Sequence, residues 1–188
     1  MRTTLIFLAL FLPFTLGAKD TPKTILSQLP RTIEECARDA EIADFSDPRL
    51  GQAASYRTPG MVITVYAFDL GQPQIAEGVT DRVVMQSFTK AKQDIQTVLD
   101  RGMYSSAKLQ NDGTKTHDGG VETLVARYDV VRAQGPDAGV KMFSEIHVFG
   151  AREHVIKIRV SGESAKEAEL GKVLATFIPK LIQAITHP

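Results

Sequence analysis

The chain has 188 residues, 22 of them basic and 22 acidic, with one cysteine and no tryptophan. Balanced charge excludes the basic stripe by which nucleic-acid binders displace counterions, and a lone thiol excludes an internal disulfide or a multi-cysteine metal site. At this length one domain can bury a real hydrophobic core without disulfide or metal staples.

Residues 1–18 open with a single Arg2, run apolar from Leu5 to Leu12, and end on Pro13-Phe14-Thr15-Leu16-Gly17-Ala18. A short basic region, an apolar stretch well below the roughly 20 residues of a membrane span, and small terminal residues predict a cleavable signal peptide. Cleavage is expected after Gly17 or Ala18. Leu16-Gly17-Ala18 is lipobox-like, but Lys19 stands where that motif needs cysteine, so no lipid anchor is expected. The predicted location is periplasmic or extracellular.

Residues 19–30, punctuated by Pro22 and Pro30, read as a flexible lead-in, and residues 31–188 as one domain. Thr32-Ile33-Glu34-Glu35 has capping-box spacing and predicts a short helix to about Arg38. Cys36 within it reads as a small buried hydrophobe. Residues 44–48 form a turn, 51–57 a first strand, and Thr58-Pro59-Gly60 a tight reversal. Met61 to Phe68 is apolar on both alternating faces and predicts a central strand covered on both sides.

The loop Asp69 to Gly78, rich in glycine and proline, leaves that strand and is a candidate binding loop. A helix follows over 81–101, capped by Thr80, with Val84, Phe88, Ala91, Ile95 and Leu99 on one stripe and Gly102 as its stop. Tyr104 to Leu109 reads as a short strand and 110–120 as a polar loop. Strands over 121–132, 140–149 and 154–161 carry their apolar residues mainly at even positions, which predicts one shared buried face. Keeping those positions together pairs Ala126 with Ile146 and Ile146 with Ile158 and leaves Ala151-Arg152-Glu153 as a loop. The last helix opens at a second capping box, Ser164 to Glu167, and buries Leu170, Leu174, Phe177, Leu181 and Ile185, widened by Val173, Ile178 and Ile182. Pro179 is expected to kink it near Ala175.

On that register Arg127, Glu145 and Arg159 form a row across three strands, with His147 beside Lys157. A carboxylate between two guanidinium groups stays ionised, and the surplus positive charge suits an anionic ligand. The alternative is a cross-strand ion-pair ladder. His117-Asp118 and nearby Asp112 offer metal-ligand chemistry, yet no histidine pair at helical spacing accompanies them, so no metal or other cofactor is assigned. No nucleophile elbow, His-Glu-x-x-His or phosphate loop occurs in the sequence, and no catalytic residue is assigned.

The element order from 51 to 186, with Pro59-Gly60 leading into Met61 to Phe68, then helix 81–101, the strands from Val121 to Ser161 and a terminal helix, resembles the PsbP, Mog1 and DcrB fold group. The resemblance implies an α+β fold, an antiparallel β-sheet covered by helices. It also implies a non-enzymatic exported accessory protein that binds or supports a protein partner in the cell envelope. Two alternatives stay open: a small anionic-ligand carrier using a cavity between sheet and helix, and a hydrolase using Glu145 with His147.

Overall fold

The computed structural model describes residues 19–188, so the export signal expected over 1–18 lies outside the described residues. Where a flexible lead-in was expected, the chain forms α1 (Pro22–Gln28). Thr21 caps it by accepting from the Thr24 amide, and Pro22 occupies the first turn, where its missing N–H is no loss. Seven residues do not hold a helix alone. What docks this one is burial of Ile25 and Leu26, both 0% exposed, at about 1.5–3 kcal/mol each.

The expected helix over 32–38 is instead a hairpin of β1 (Thr32–Ile33) and β2 (Cys36–Arg38), turning at Glu34 with φ 51°. The capping box loses because strand geometry points both Ile33 and Cys36 into the core while Ala37 and Arg38 extend the main sheet. Cys36 is buried, as its composition suggested, and burial pushes its thiol up to about 11. Next come β3 (Ala43–Asp44), a single 3-10 turn at Pro48–Leu50, β4 (Gln52–Thr58) and β5 (Met61–Phe68). The β4–β5 reversal runs through Pro59-Gly60, with Gly60 at φ 84°.

Helix α2 (Arg82–Asp100) is capped by Asp81, one residue later than expected. One Asp81 oxygen accepts from the Val83 amide while the other accepts from Ala76, tying the 69–80 loop to the helix start. Val84, Phe88, Ala91 and Ile95 are buried as the stripe predicted, and Leu99 is half-buried. The chain then forms β6 (Tyr104–Thr116), β7 (Glu122–Arg132), β8 (Lys141–Ala151), β9 (His154–Glu163) and α3 (Glu167–Thr186). A 3-10 turn over Ser164–Lys166 occupies the second capping box, so α3 opens one turn late. Its predicted stripe is buried, with Val173 at the margin.

All pairings are antiparallel, and the sheet order is β1-β2-β4-β5-β9-β8-β7-β6, with β3 also on β4. After β5 the chain crosses one face as α2, reaches the far edge as β6, and returns by three hairpins until β9 pairs with β5. Helices α1 and α3 cover one face and α2 part of the other, each over its own hydrophobic cluster. The fold is therefore α+β, an antiparallel sheet between helices. Residues 110–116, expected in a loop, belong to β6, which pairs with β7 along its whole length. Being an edge strand it has little to bury, so its polar composition is compatible with pairing.

The register of the last hairpin differs from expectation by one residue. Ala151 pairs with His154, and the turn is the two residues Arg152 and Glu153, at φ 53° and 62°. A two-residue turn with both φ positive matches the strand twist, which favours it over a three-residue loop. In consequence His147, not Ile146, faces Ile158. The even positions of β7 and β8 lie under α2, whereas Ile156, Ile158 and Val160 of β9 face α3. Strand β5 is likewise divided: its odd positions are buried, while Val62, Thr64 and Tyr66 on the α2 side are half-exposed.

Candidate functional site

The register decides which charged residues meet. Arg127 pairs with Glu145 as predicted, and one guanidinium nitrogen donates to Glu145 Oε2 at 3.2 Å. The other donates to Glu167 Oε1 at 2.6 Å, joining the sheet to the first turn of α3. The Arg127 plane also lies 4.7 Å from the Phe143 ring centre. Arg159 does not join this row. The one-residue difference turns it to the opposite face, where it is flanked by Thr64 and Ile146. Lys157 is turned away from His147 for the same reason.

Glu145 and His147 do lie together, with His147 Nε2 donating to Glu145 Oε1 at 2.7 Å. The chain of bonds continues inward: His147 Nδ1 is 3.3 Å from Thr123 Oγ1, which is 2.9 Å from His117 Nε2. With both rings neutral the direction follows from the carboxylate. His147 spends its one N–H on Glu145, so its Nδ1 accepts from the Thr123 hydroxyl, whose oxygen accepts from His117. The turn at Asp118–Gly120 brings His117 back over Thr123. Burial works against ionising Glu145, yet the bonds from His147 and Arg127 hold its carboxyl down to about 2. Burial, followed by the neighbouring His147 and Lys115 side chains, lowers His117 to about 4.

Thr123, His147 and Glu145 have the order of nucleophile, base and orienting carboxylate. Thr123 and His147 are both 0% exposed, however, so no substrate reaches the hydroxyl in this arrangement. Asp112, considered with His117 as a metal donor, instead pairs with Lys92 at 2.6 Å, and among the described residues no three such side chains converge. His154 shares the α3 face with His147 but bonds locally, donating from Nδ1 to the Arg152 carbonyl.

The accessible chemistry is on the other face. Between α2 and the sheet lies a cavity of about 410 Å3, walled by Phe45, Tyr66, Phe68 and Ala91, with exposed Leu50 and Leu70 at its mouth. Phe45 stacks on Tyr66 at 6.1 Å between ring centres. The candidate loop 69–78 thus contributes Leu70, while its Ile75 is buried and Gly78 bonds to Gly150 in both directions. Lys157, opposite Tyr66 on β9, holds its Nζ 4.2 Å from the Tyr66 ring centre, and burial lowers its pKa. Ser87, 8% exposed, lines the same cavity, and its hydroxyl has no hydrogen-bond partner among the described residues.

A more polar groove of about 700 Å3 adjoins it past Tyr66. Arg159 lies there, donating to the Tyr104 hydroxyl at 3.0 Å, with its Nε buried and unpartnered. Lys157 and Arg159 are therefore two cations on one face, two residues apart, and neither makes an ion pair within 4 Å among the described residues. Ser87 could have been noticed in the sequence as a hydroxyl between Val84 and Ala91 on an otherwise apolar stripe. Thr123 carried no comparable signal, since only the β7–β8 pairing brings it to His147.

No protein-family model matches the sequence, and no curated protein matches it. No helix among the described residues is long and apolar enough to cross a membrane. The fold is similar to the solution structure of cyanobacterial PsbP (CyanoP) from Synechocystis sp. PCC 6803, with a TM-score of 0.48 and 13% identity over 79% of this chain and 92% of that one. It is also similar to PA94 from Pseudomonas aeruginosa, a protein of unknown function, with a TM-score of 0.36 and 13% identity over 80% and 88% of the two chains.

Proposed function

We propose that the protein is an exported, non-enzymatic binding protein that holds a small, largely apolar ligand between α2 and the sheet. The observation that carries this reading is the cavity itself. Its volume of about 410 Å3 falls in the range of small-molecule sites, and apolar walls with a few polar groups are their usual lining. Export rests on the signal-like residues Met1 to Ala18. The test is a native mass spectrum of the protein isolated gently from its own cells. A reproducible small-molecule adduct that disappears in Ala91→Leu, which fills the cavity, supports the reading. An adduct that survives Ala91→Leu refutes this site. N-terminal sequencing of the same material should start after Gly17 or Ala18.

A protein partner in the cell envelope is the second reading. One observation favours it: β6 leaves a thirteen-residue edge with no strand beyond it among the described residues, the template for strand addition. Crosslinking in cells through a photoreactive residue at Leu109, 44% exposed, tests that reading directly.

A further inference from the structure

The cavity under α2 has an imbalance of polar groups. Ser87 presents a buried hydroxyl without a partner, and Lys157 presents an ammonium whose only recorded contact there is the face of Tyr66. The one carboxylate at the cavity, Asp94, is already taken by Lys90 at 2.8 Å. Two donors thus border the space, and neither is hydrogen-bonded to the acceptors that also line it, Gln86 and Asp94, among the described residues. Arg159, two residues along β9 and also without a carboxylate, adds positive potential on the same face.

A polar group left unpaired out of water is costly, and a head that only accepts hydrogen bonds suits both kinds of donor. An alcohol head would leave the ammonium unneutralised. A dianion would meet one cation not already paired, Lys157, because Lys90 is held by Asp94. The remaining walls are aromatic and aliphatic, open past Leu50 and Leu70. At about 30 Å3 for each water-sized group, the volume takes on the order of a dozen non-hydrogen atoms.

Resting on the cavity reading, we infer that the ligand is a monocarboxylic acid with an apolar chain, its carboxylate at Lys157 and Ser87 and its chain leaving past Leu50 and Leu70. Decanoate and 1-decanol are the probes, titrated calorimetrically into the purified protein and its variants, each variant checked for folding by circular dichroism. The wild type should bind decanoate at least about tenfold more tightly than decanol, the yield of one charge-assisted hydrogen bond. Lys157→Met should abolish that preference while retaining decanol, Lys157→Arg should keep it, and Ala91→Leu should lose both ligands. Equal binding of acid and alcohol by the wild type, or a preference that survives Lys157→Met, overturns the acid and leaves the cavity reading standing. Failure of both probes to bind the wild type, or undiminished binding by Ala91→Leu, overturns the cavity reading and the acid with it.

Discussion

Lowering the pH from 7 to 5 should weaken this fold through one imidazole, His117. Its side chain is 8% exposed and bonded to Thr123, and burial holds its pKa at about 4 against an ordinary 6.5. The unfolded chain takes up a proton near pH 6.5, whereas the folded chain does not until about pH 4. The stabilisation is therefore complete above pH 6.5 and drains away as pH falls from 6.5 towards 4. At about 1.36 kcal/mol per pKa unit, linkage gives a loss of about 2 kcal/mol at pH 5 and about 3 kcal/mol at pH 4. Glu145 has the same sign in a lower window. Its carboxyl, held at about 2, contributes stability that is present above about 4.5 and is lost as pH falls towards 2. Measurement at pH 5 therefore stays above the Glu145 window, and the comparison with a His117 variant assigns the imidazole. Urea unfolding at pH 7 and pH 5 should show the wild-type midpoint fall by about 1 M, taking a slope of about 2 kcal/mol per molar. In His117→Gln the midpoint should be lower at pH 7 and change little between the two pH values. A wild-type midpoint that does not move, or the same fall in both proteins, refutes the assignment.

Ile25→Ala should destabilise the protein by about 2–5 kcal/mol in thermal unfolding, the cost of emptying a buried aliphatic site, whereas a loose N-terminal segment would give no change. A Cβ at Gly162 would sit 2.4 Å from Phe143 Cζ, so Gly162→Val should cost about 1–3 kcal/mol by urea unfolding, and Phe143→Leu in the same chain should recover part of it. Glu145→Gln takes the anion from between Arg127 and His147 and should cost about 1–3 kcal/mol at pH 7; chemical unfolding should also show less acid sensitivity below pH 4.5 than in the wild type.

How much of this was legible in the sequence varies by element, for physical reasons. The stripes of α2 and α3 were readable because each helix buries a single face, and the spacing of Val84, Phe88, Ala91 and Ile95 has no other economical explanation. The β7–β8 pairing was readable because Leu124, Ala126, Tyr128 and Val130 hold one face while Thr123, Arg127 and Asp129 fall on the other. The β8–β9 register was not. Strand β8 buries Phe143 and Phe149 on one face and Ile146 and Val148 on the other, so its pattern accepts either register, and the deciding fact is the conformation of Arg152 and Glu153. Nothing in those two residue types demands φ > 0. The same limit applies to Thr32–Arg38, where local capping chemistry favours a helix and only the distant strand β4 supplies the competing partner.

That single register step divides the charged residues between the two faces. Had Arg159 stood beside Glu145, the carboxylate would have lain between two guanidinium groups. Instead Glu145 is bounded by Arg127 and a relay of His147, Thr123 and His117, with only a small space of about 170 Å3 between it and α3. The partners there satisfy one another, and a satisfied buried network fixes the seating of a helix on a sheet without calling for a ligand. On the α2 face Lys157, Arg159 and Tyr66 keep access to solvent while Ser87 keeps an unmade bond. Unmade bonds beside an apolar space are what a ligand can complete, so the ligand reading rests on Lys157 and Ser87, on the opposite side of the sheet from Glu145.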